Sequence, residues 1–352
     1  MGSFELLGIT DSSKWTRYFE SLPPGQQDIY YTPEYYSICE MEGKGKAQCF
    51  VFRTENEIAL YPFLLNVIDG PGNIPDKKYF DIQGAYGYNG VISSSYEDAF
   101  ARSFSDAFEK FAVDSDIIAE FTRFNPVLKN HLFSSYLNPS YNQENIIVDL
   151  SVDSLEKDSY EYSTRKNINK AVRNNLQFLK FTGTEISAGL LEQFLQIYYA
   201  TMRRNGADET YYFPLSYFES VAATLGEACT YYFISYQNTI IAAELVLLGK
   251  SAGYSFLGGT LTDYYEYRPN DFLKHKIIED LRNRGFEYFC LGGGGENLIR
   301  YKKSFAKNGS VSFYIGRKIY NPAVYEEVVR QWTGKNPDKS EKYKNIFLKY
   351  RM

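Results

Sequence analysis

The chain has 352 residues, 44% of them hydrophobic and 23% charged, which is typical of a globular protein long enough for two hydrophobic cores. Its net charge of −5 argues against DNA binding by the surface as a whole, although a local basic groove is compatible with this balance. No apolar run approaches about 18 residues, and the N-terminus lacks a signal-like pattern, so we expect a cytoplasmic protein without a transmembrane segment.

Residues that usually build metal or nucleophilic centres are few and widely spaced. No CxxC pair occurs, and neither a zinc site nor a Ser–His–Asp or Cys–His arrangement follows from the spacing. We therefore predict reduced, buried thiols and no metal. The residues concerned are Cys39, Cys49, Cys229, Cys290, His131 and His275.

In the first half, PEYYSICEMEGKG (33–45) predicts a helix that begins with proline at its first position. Two β-rich runs follow around the polar turn TENE, as in a hairpin. KKYFDIQGAYGYNG (77–90) then predicts a third strand ending in glycines. SYEDAFARSFSDAFEKFA (95–112) predicts an amphipathic helix, and SDIIAEFTRFNP (115–126) a short buried strand.

The second half repeats this order. PLSYFESVAATLG (214–226) predicts a helix that again begins with proline at its first position, and a hairpin follows around YQNT. The strand SAGYSFLGGT (251–260), the helix RPNDFLKHKIIEDLRNRG (268–285) and the strand FEYFCLGGGG (286–295) complete it. A helix–hairpin–strand–helix–strand unit predicts a mixed sheet covered by helices. The chain is thus predicted to be an α/β (α+β) protein with a twofold internal repeat.

A basic segment lies between the two halves. In DSLEKDSYEYSTRKNINKAVRNNLQF (153–178), Lys166, Lys170 and Arg173 fall at i, i+4 and i+7 and therefore on one helix face. Such a stripe is usually a solvated face, but at a domain junction it would also attract a phosphate or an acidic substrate. The C-terminal TGKNPDKSEKYKNIFLKYRM (333–352) predicts a polar tail with a short helix.

The glycine run at 292–295 is followed closely by Arg300, Lys302 and Lys303. Backbone amides at such a run can approach a ligand closely, and the cations suit an anion or a charge that develops during a reaction. The segment matches neither a Walker loop nor a dinucleotide fingerprint, because the required glycines are missing. The alternative is a flexible turn followed by a solvated basic helix.

The segment GGGGENLIRYKKSF, followed by FYIGRKIYN, resembles the signature of the Fem-type (FemAB) transferases and their acetyltransferase-like relatives. That signature is a glycine-rich turn, an acidic residue, an aromatic–Lys pair and a later strand containing glycine. Further matches, in order along the chain, are YGYNG, RFNPVLKN, RKNINKAVRNN, ATMRRNG and the ending FLKYR.

The resemblance implies two tandem GNAT-like domains, each with a mixed, largely antiparallel sheet flanked by helices. We expect a first domain at 1–145 that binds the acceptor without reacting, a second at 146–330 that carries the transfer site, and a polar, helical tail at 331–352. The implied reaction transfers an acyl or aminoacyl group to an amine of a cell-envelope precursor, a nucleotide- or lipid-linked sugar or peptide. Direct aminolysis needs no protein nucleophile. A lipid-linked precursor could also bring the protein to the surface of a membrane.

The family motif assigns site residues by position. Tyr301 and Lys302 match the aromatic–Lys pair, and Lys302 is the first choice for stabilising the developing oxyanion. The glycine turn and the acid after it would contact the substrate, the arginines an acceptor diphosphate, and YGYNG the wall of a first-domain cleft. These substrate-binding candidates are Gly293, Gly294, Glu296, Arg203, Arg204, Tyr86, Tyr88 and Asn89.

Several alternatives remain open at this point. The acyl donor is either aminoacyl-tRNA or an acyl-CoA; the chain lacks the long helical arm of some tRNA-dependent members, and YRPNDF does not match the usual CoA-binding turn. Glu296, Asp263 and His275 are all candidate general bases. Two other functions compete: a catalytically silent protein that binds sugars or peptidoglycan precursors, and an acyl-CoA-dependent N-acetyltransferase of an amino sugar.

Overall fold

The computed structural model describes residues 2–68 and 77–352. Up to residue 149 the elements are β1 (Ser3–Gly8), α1 (Ser12–Glu20), α2 (Pro33–Met41), β2 (Lys46–Arg53), β3 (Ile58–Ile68), β4 (Tyr79–Gln83), β5 (Ile92–Ser93), α3 (Asp98–Asp114), β6 (Ile117–Arg123) and β7 (Ser140–Asp149). They continue with α4 (Tyr162–Arg173), β8 (Gln177–Thr182), α5 (Ala188–Arg204), α6 (Leu215–Leu225), β9 (Cys229–Tyr236), β10 (Thr239–Leu248), β11 (Ala252–Thr260), α7 (Pro269–Asn283), β12 (Tyr288–Gly292), α8 (Glu296–Lys303), β13 (Ser310–Ile319), α9 (Pro322–Lys335) and α10 (Pro337–Ser340).

These elements form two compact units. The first contains residues 2–26, Tyr30–Asn142 and Phe313–Met352, and the second contains Gln27–Ile29 and Gln143–Ser312. This division differs from the sequence-based one at the C-terminal end, where 313–330 was assigned to the second domain and 331–352 to a separate tail. The reason is strand pairing and packing: β13 pairs antiparallel with β6, and Val324 and Val328 of α9 enter an apolar cluster with Ile118.

Each unit has its own six-stranded path with the same pattern of directions. The first runs β1-β2-β3-β4-β6-β13, with β5 paired to β3, and the second runs β8-β9-β10-β11-β12-β7. In both paths the fourth and fifth strands are parallel, and the pairs given for the other neighbours are antiparallel. The predicted mixed, largely antiparallel sheets and the twofold repeat are confirmed.

The turns and helix starts follow from local chemistry. The hairpin between β9 and β10 turns at Gln237 and Asn238, whose φ values of 48° and 64° give the type I′ geometry that matches the twist of the two strands. Pro33 occupies the first helical position of α2, as predicted. Pro214, however, lies one residue before α6 as its N-cap rather than at its first helical position.

Helices cover the second sheet on both sides. This is why β9 and β10 are almost continuous apolar runs rather than alternating ones. Ile168 and Ala171 of α4 pack with Ile277 and Ile278 of α7 in one core cluster. On the other face of β9, Tyr231 contacts Phe194 of α5, which also contacts Phe218 of α6. All four cysteines are free and buried. Within the described ranges, no helix combines the length and apolarity needed to span a bilayer.

Candidate active site

The second unit contains a cavity of about 920 Å³ where its two parallel strands separate. β11 and β12 pair over three residues only, ending at Tyr254 opposite Cys290. Beyond this point Phe256 forms a bulge, because Leu245 pairs with Leu257 while Val246 pairs with Ser255. The rest of β11, the first turns of α7 and the residues of α8 then line the opening.

Lys302 projects from α8 into this cavity. Its Nζ donates a hydrogen bond to the Gly293 carbonyl oxygen at 2.6 Å, so the glycine turn holds the ammonium in place. Burial, helped by the positive charge of Lys274, lowers the pKa of Lys302 from 10.5 to about 8. The group is still mostly protonated near neutral pH, so it can donate to a developing negative charge.

The glycine turn owes its shape to residues without side chains. Gly292 and Gly294 have φ values of 75° and 142°, in the range that favours glycine. A Cβ on Gly293 would lie 2.3 Å from Gln143 Nε2 and 2.6 Å from Asn145 Oδ1. Glycine is therefore favoured where the chain leaves β12, passes these side chains and starts α8, which presents Lys302 to the cavity.

Tyr301 and Glu296 lie on the same short helix and also line the cavity. The Tyr301 ring packs edge-on against Phe305, with centroids 5.4 Å apart, and burial raises the pKa of its hydroxyl well above the usual range. Tyr301 is thus a neutral wall at all ordinary pH values. Glu296, in the first turn of α8, is exposed at the cavity.

Sequence reasoning missed a buried ion pair in the cavity. Glu244 of β10 and Lys274 of α7 are only 8% and 7% exposed, and Lys274 Nζ contacts the two carboxylate oxygens at 2.5 and 2.7 Å. Lys274 also donates to Ser255 Oγ at 3.1 Å. A usable signal existed in the sequence, because an acid inside the apolar run TIIAAELVLL requires a partner once the strand is buried.

The two predicted arginines separate. Arg204 lines the cavity, donates to the Thr260 carbonyl oxygen at 2.9 Å and lies 5.4 Å over the Tyr265 ring. Its guanidinium thus hydrogen-bonds the last residue of β11 and also faces the cavity. Arg203 is exposed and does not line the cavity, so the structure does not bring the two together as a fork for one diphosphate.

The YGYNG segment serves packing in the first unit. Asn89 is 1% exposed; its N–H donates to the Arg123 carbonyl at 2.7 Å, and its Oδ1 accepts from the Arg123 N–H at 2.6 Å. Tyr35 donates its hydroxyl proton to the Tyr86 carbonyl, and Tyr88 packs edge-on against Tyr30. These contacts fill the place where the parallel strands β4 and β6 end, which corresponds to the open end of the pair in the second unit.

Only one candidate base lies at the cavity. His275 is buried; its Nδ1 is 3.1 Å from the Tyr160 hydroxyl, and burial lowers its pKa, which fits a packed core residue. Asp263 is exposed in a 3₁₀ turn outside the cavity lining, whereas Glu296 lines the cavity. In the described part of the chain, no group of three or more His, Cys, Asp or Glu residues has a metal-binding arrangement.

The basic stripe lies on α4, which belongs to the second unit. Lys166, Lys170 and Arg173 are exposed, while Ile168 and Ala171 on the opposite face are buried. The three cations lie on one exposed face of the helix, as predicted. A solvated helix face accounts for this arrangement.

Comparison with known proteins identifies the fold. The family model for an acetyltransferase (GNAT) domain matches residues 162–303. A crystal structure of FemX is similar over 92% of this chain and 99% of that chain, with a TM-score of 0.67 and 13% identity. A tandem GNAT protein from the clavulanic acid biosynthesis pathway is similar over 92% and 99%, with a TM-score of 0.53 and 8% identity.

A conserved protein of unknown function from Bacteroides thetaiotaomicron is similar over 90% of this chain and 99% of that chain, with a TM-score of 0.57 and 10% identity. The search of curated proteins gives no match. The repeated sheets, the cavity at the separated parallel strands and these similarities agree with one another. The chain has the Fem-type tandem GNAT-like fold, and its residues 162–303 match the model of a GNAT domain.

Proposed function

We propose that the protein is an acyltransferase that joins an acyl or aminoacyl group to an amine of a cell-envelope precursor, using the cavity of its second unit. The observation that carries this proposal is the Lys302 ammonium, held by the Gly293 carbonyl inside a cavity at the separated strands of a GNAT domain. The envelope acceptor is proposed from the Fem-type resemblance alone.

The reaction is direct aminolysis. The lone pair of the acceptor nitrogen attacks the acyl carbonyl carbon, and the carbonyl π electrons move onto oxygen as a tetrahedral oxyanion. When this intermediate collapses, the bond to the leaving oxygen or sulfur breaks, and the proton lost by nitrogen passes to the leaving group or to water. Lys302 stabilises the oxyanion because a preorganised cation acts strongly where water is displaced.

The donor is proposed to be an aminoacyl ester rather than an acyl-CoA. The diphosphate of an acyl-CoA would favour the N-terminus of α7, the helix after β11. The helix dipole and the free N–H groups attract anions there. Here Pro269 removes one N–H, and the buried Asp271 places a carboxyl group in the first turn. Asn167 donates to Asp271 Oδ1 at 3.1 Å, which fixes that acid in place.

A donor–acceptor matrix tests the function. The full-length protein is incubated with aminoacyl-tRNA or acetyl-CoA, and with a muramyl-peptide nucleotide or glucosamine, and products are detected by mass spectrometry. We expect a mass gain on the muramyl-peptide nucleotide with aminoacyl-tRNA. Modification of glucosamine by acetyl-CoA would instead support the amino-sugar N-acetyltransferase, and binding of acceptors without any product would support the silent binding protein.

A further inference from the structure

Ser255 lies at the point where the two parallel strands of the second unit separate. It follows Tyr254, the last residue of β11 that pairs with β12, and it precedes the bulge at Phe256. Its side chain is half-buried and lines the cavity. Ser255 thus borders the opening on the β11 side, whereas the glycine turn that holds Lys302 follows β12 on the other side.

The buried ion pair occupies one side of the Ser255 hydroxyl. Lys274 Nζ donates to Ser255 Oγ at 3.1 Å, and its other two N–H bonds are directed to the carboxylate oxygens of Glu244. The three residues come from β10, β11 and α7, so the packing of these elements fixes the arrangement. Because Lys274 has no further N–H to offer, it acts on a molecule in the cavity through Ser255.

The Ser255 hydroxyl keeps two bonding positions for such a molecule. A serine hydroxyl has one proton to donate and two lone pairs that accept. Lys274 uses one lone pair, and within the parts of the chain that the structure describes the hydroxyl has no other hydrogen-bond partner. One proton and one lone pair therefore remain. The ammonium of Lys274 polarises the O–H bond through its contact with Oγ, which strengthens the hydroxyl as a donor.

We propose that Ser255 is a catalytic residue, a proton relay between the acceptor nitrogen and the leaving oxygen of the ester, with Glu244 and Lys274 as its positioning residues. The inference rests on the proposed function, in which the path of this proton is open. In the tetrahedral intermediate the nitrogen and the leaving oxygen are bonded to the same carbon, so one hydroxyl can contact both.

The relay balances without a further reactant. As the bond between carbon and the leaving oxygen breaks, its electron pair moves to that oxygen, which takes the proton of Ser255 Oγ. The free lone pair of Oγ takes the proton that the acceptor nitrogen gives up, so the hydroxyl is restored in the same step. Lys274 keeps its own proton and stabilises the partial negative charge on Oγ while the protons move.

Kinetics of full-length variants, with the donor and acceptor that prove active, test the relay. Ser255→Ala should lower kcat by about 10²–10⁴-fold, the usual contribution of general acid–base catalysis, and leave the KM for the donor nearly unchanged. Ser255→Thr and Ser255→Val match each other in shape and differ in the hydroxyl, so the Thr variant should be much the faster. Equal losses in these two variants would show that the hydroxyl is not the cause.

The leaving group supplies a measurement that a merely structural role would not change. The pantetheine thioester of the same amino acid carries the same acyl group, but a thiolate can leave without a proton because the pKa of a thiol is only about 8.5. Ser255→Ala should therefore slow transfer from the ester far more than transfer from the thioester. Equal losses with the two donors would overturn the relay. If the parent protein does not accept the thioester, the comparison of Thr and Val decides.

A double variant tests the role of the ion pair. Lys274→Met should slow transfer from the ester, and Ser255→Ala/Lys274→Met should be no slower than Ser255→Ala, because Lys274 acts through Ser255. Lys276→Met is the matched control, since Lys276 lies on the same helix but pairs with Glu279 at 2.8 Å. Additive losses would exclude Lys274 from the relay. If circular dichroism shows that Lys274→Met does not fold, the Ser255 variants decide.

Failure of the relay and failure of the proposed function give different results. A parent protein that transfers, together with a Ser255→Ala variant that matches it, would refute the relay and leave the proposed function intact. A parent protein that modifies no acceptor with any donor would refute the proposed function, and the relay with it.

Discussion

Lys302 combines a fixed position with unused bonding capacity. One of its three N–H bonds goes to the Gly293 carbonyl, and no carboxylate within the described residues forms an ion pair with it. The neighbouring Lys303, by contrast, forms a surface ion pair with Glu144 at 2.8 Å. Two adjacent lysines on one helix therefore offer a direct comparison of a cavity cation with a surface one.

Lys302→Met should reduce the transfer rate by about 10²–10³-fold, the loss typical for removal of one oxyanion donor. Methionine keeps most of the side-chain volume, so the thermal unfolding midpoint should change little. The measurement is single-turnover product formation by mass spectrometry under the donor and acceptor that prove active. Lys303→Met is the control, and equal losses in both variants would contradict the assignment.

The same lysine sets the expected pH dependence. Lys302 must be protonated to donate, and its pKa is lowered to about 8, so the rate should fall as the pH rises through that value. In Lys302→Arg the guanidinium stays charged throughout, so any remaining activity should show no such decline. Persistence of the decline in that variant would assign it to another group.

At this scale the sequence was informative only where a motif existed. Lys302, Tyr301 and Glu296 follow the glycine run, and all three line one cavity. Glu244 and Lys274 are 30 residues apart in the sequence, on a strand and a helix, so only the tertiary fold brings them together. Tyr86, Tyr88 and Asn89 looked similar to a ligand loop because tight packing turns and binding loops use the same glycines and aromatics.

At the scale of elements, the contact of α5 with β11 shapes one wall of the cavity. Gly259 of β11 lies so close to α5 that a Cβ there would be 2.3 Å from Thr201 Oγ1 and 2.7 Å from the Ile197 carbonyl oxygen. Thr201 in turn accepts a hydrogen bond from the Thr260 N–H at 3.1 Å. A backbone oxygen cannot move aside as a flexible side chain can, so this glycine is required for the close approach.

Gly259→Ala should therefore destabilise the protein by about 1–3 kcal/mol through overpacking and reduce transfer, since α5 or β11 must shift at the cavity wall. Urea denaturation and the transfer assay measure the two effects. Gly189→Ala is the control: it lies in the first turn of α5 with nothing within 4 Å of the new Cβ. An unchanged urea-denaturation midpoint in Gly259→Ala would show that α5 and β11 can move apart at the cavity wall without loss of stability.

The helices and strands themselves were largely predictable, because their hydrophobic periodicities differ. The internal repeat also shows the same order of elements in both halves of the sequence. The pairing of β13 with β6 was not predictable, since hydrophobic pattern alone does not identify which sheet a C-terminal strand joins. The bulge at Phe256 was missed for a similar reason. One extra residue in a buried apolar run leaves no mark on the sequence.

For the whole molecule, the last residues of the chain complete the first unit. The Arg351 guanidinium contacts Asp81 Oδ2 at 2.7 Å and donates to the Val67 carbonyl oxygen at 2.9 Å. Asp81 is fully buried, and burial raises the pKa of its carboxyl group while Arg351 opposes that rise. The expected polar tail is thus partly a structural anchor for β3 and β4.

Arg351→Met should destabilise the first unit by about 2–4 kcal/mol, because it leaves a buried carboxyl group without its cation. Hydrogen exchange should accelerate in β3 and β4 more than in β9 and β10 of the second unit. Lys349→Met, two residues earlier in the same segment, serves as the control. Equal acceleration in both units, or none, would show that the anchor is not specific to the first unit.

The assignment of Phe313–Met352 to the first unit has a consequence for biosynthesis. A ribosome releases the second unit's segments, up to Ser312, before β13 and the C-terminal anchor of the first unit have been translated. We therefore expect the middle of the chain to acquire protease resistance on the ribosome before its beginning does. A premature stop codon near residue 312 would leave the N-terminal portion, not the C-terminal one, as the substrate for chaperones and proteases.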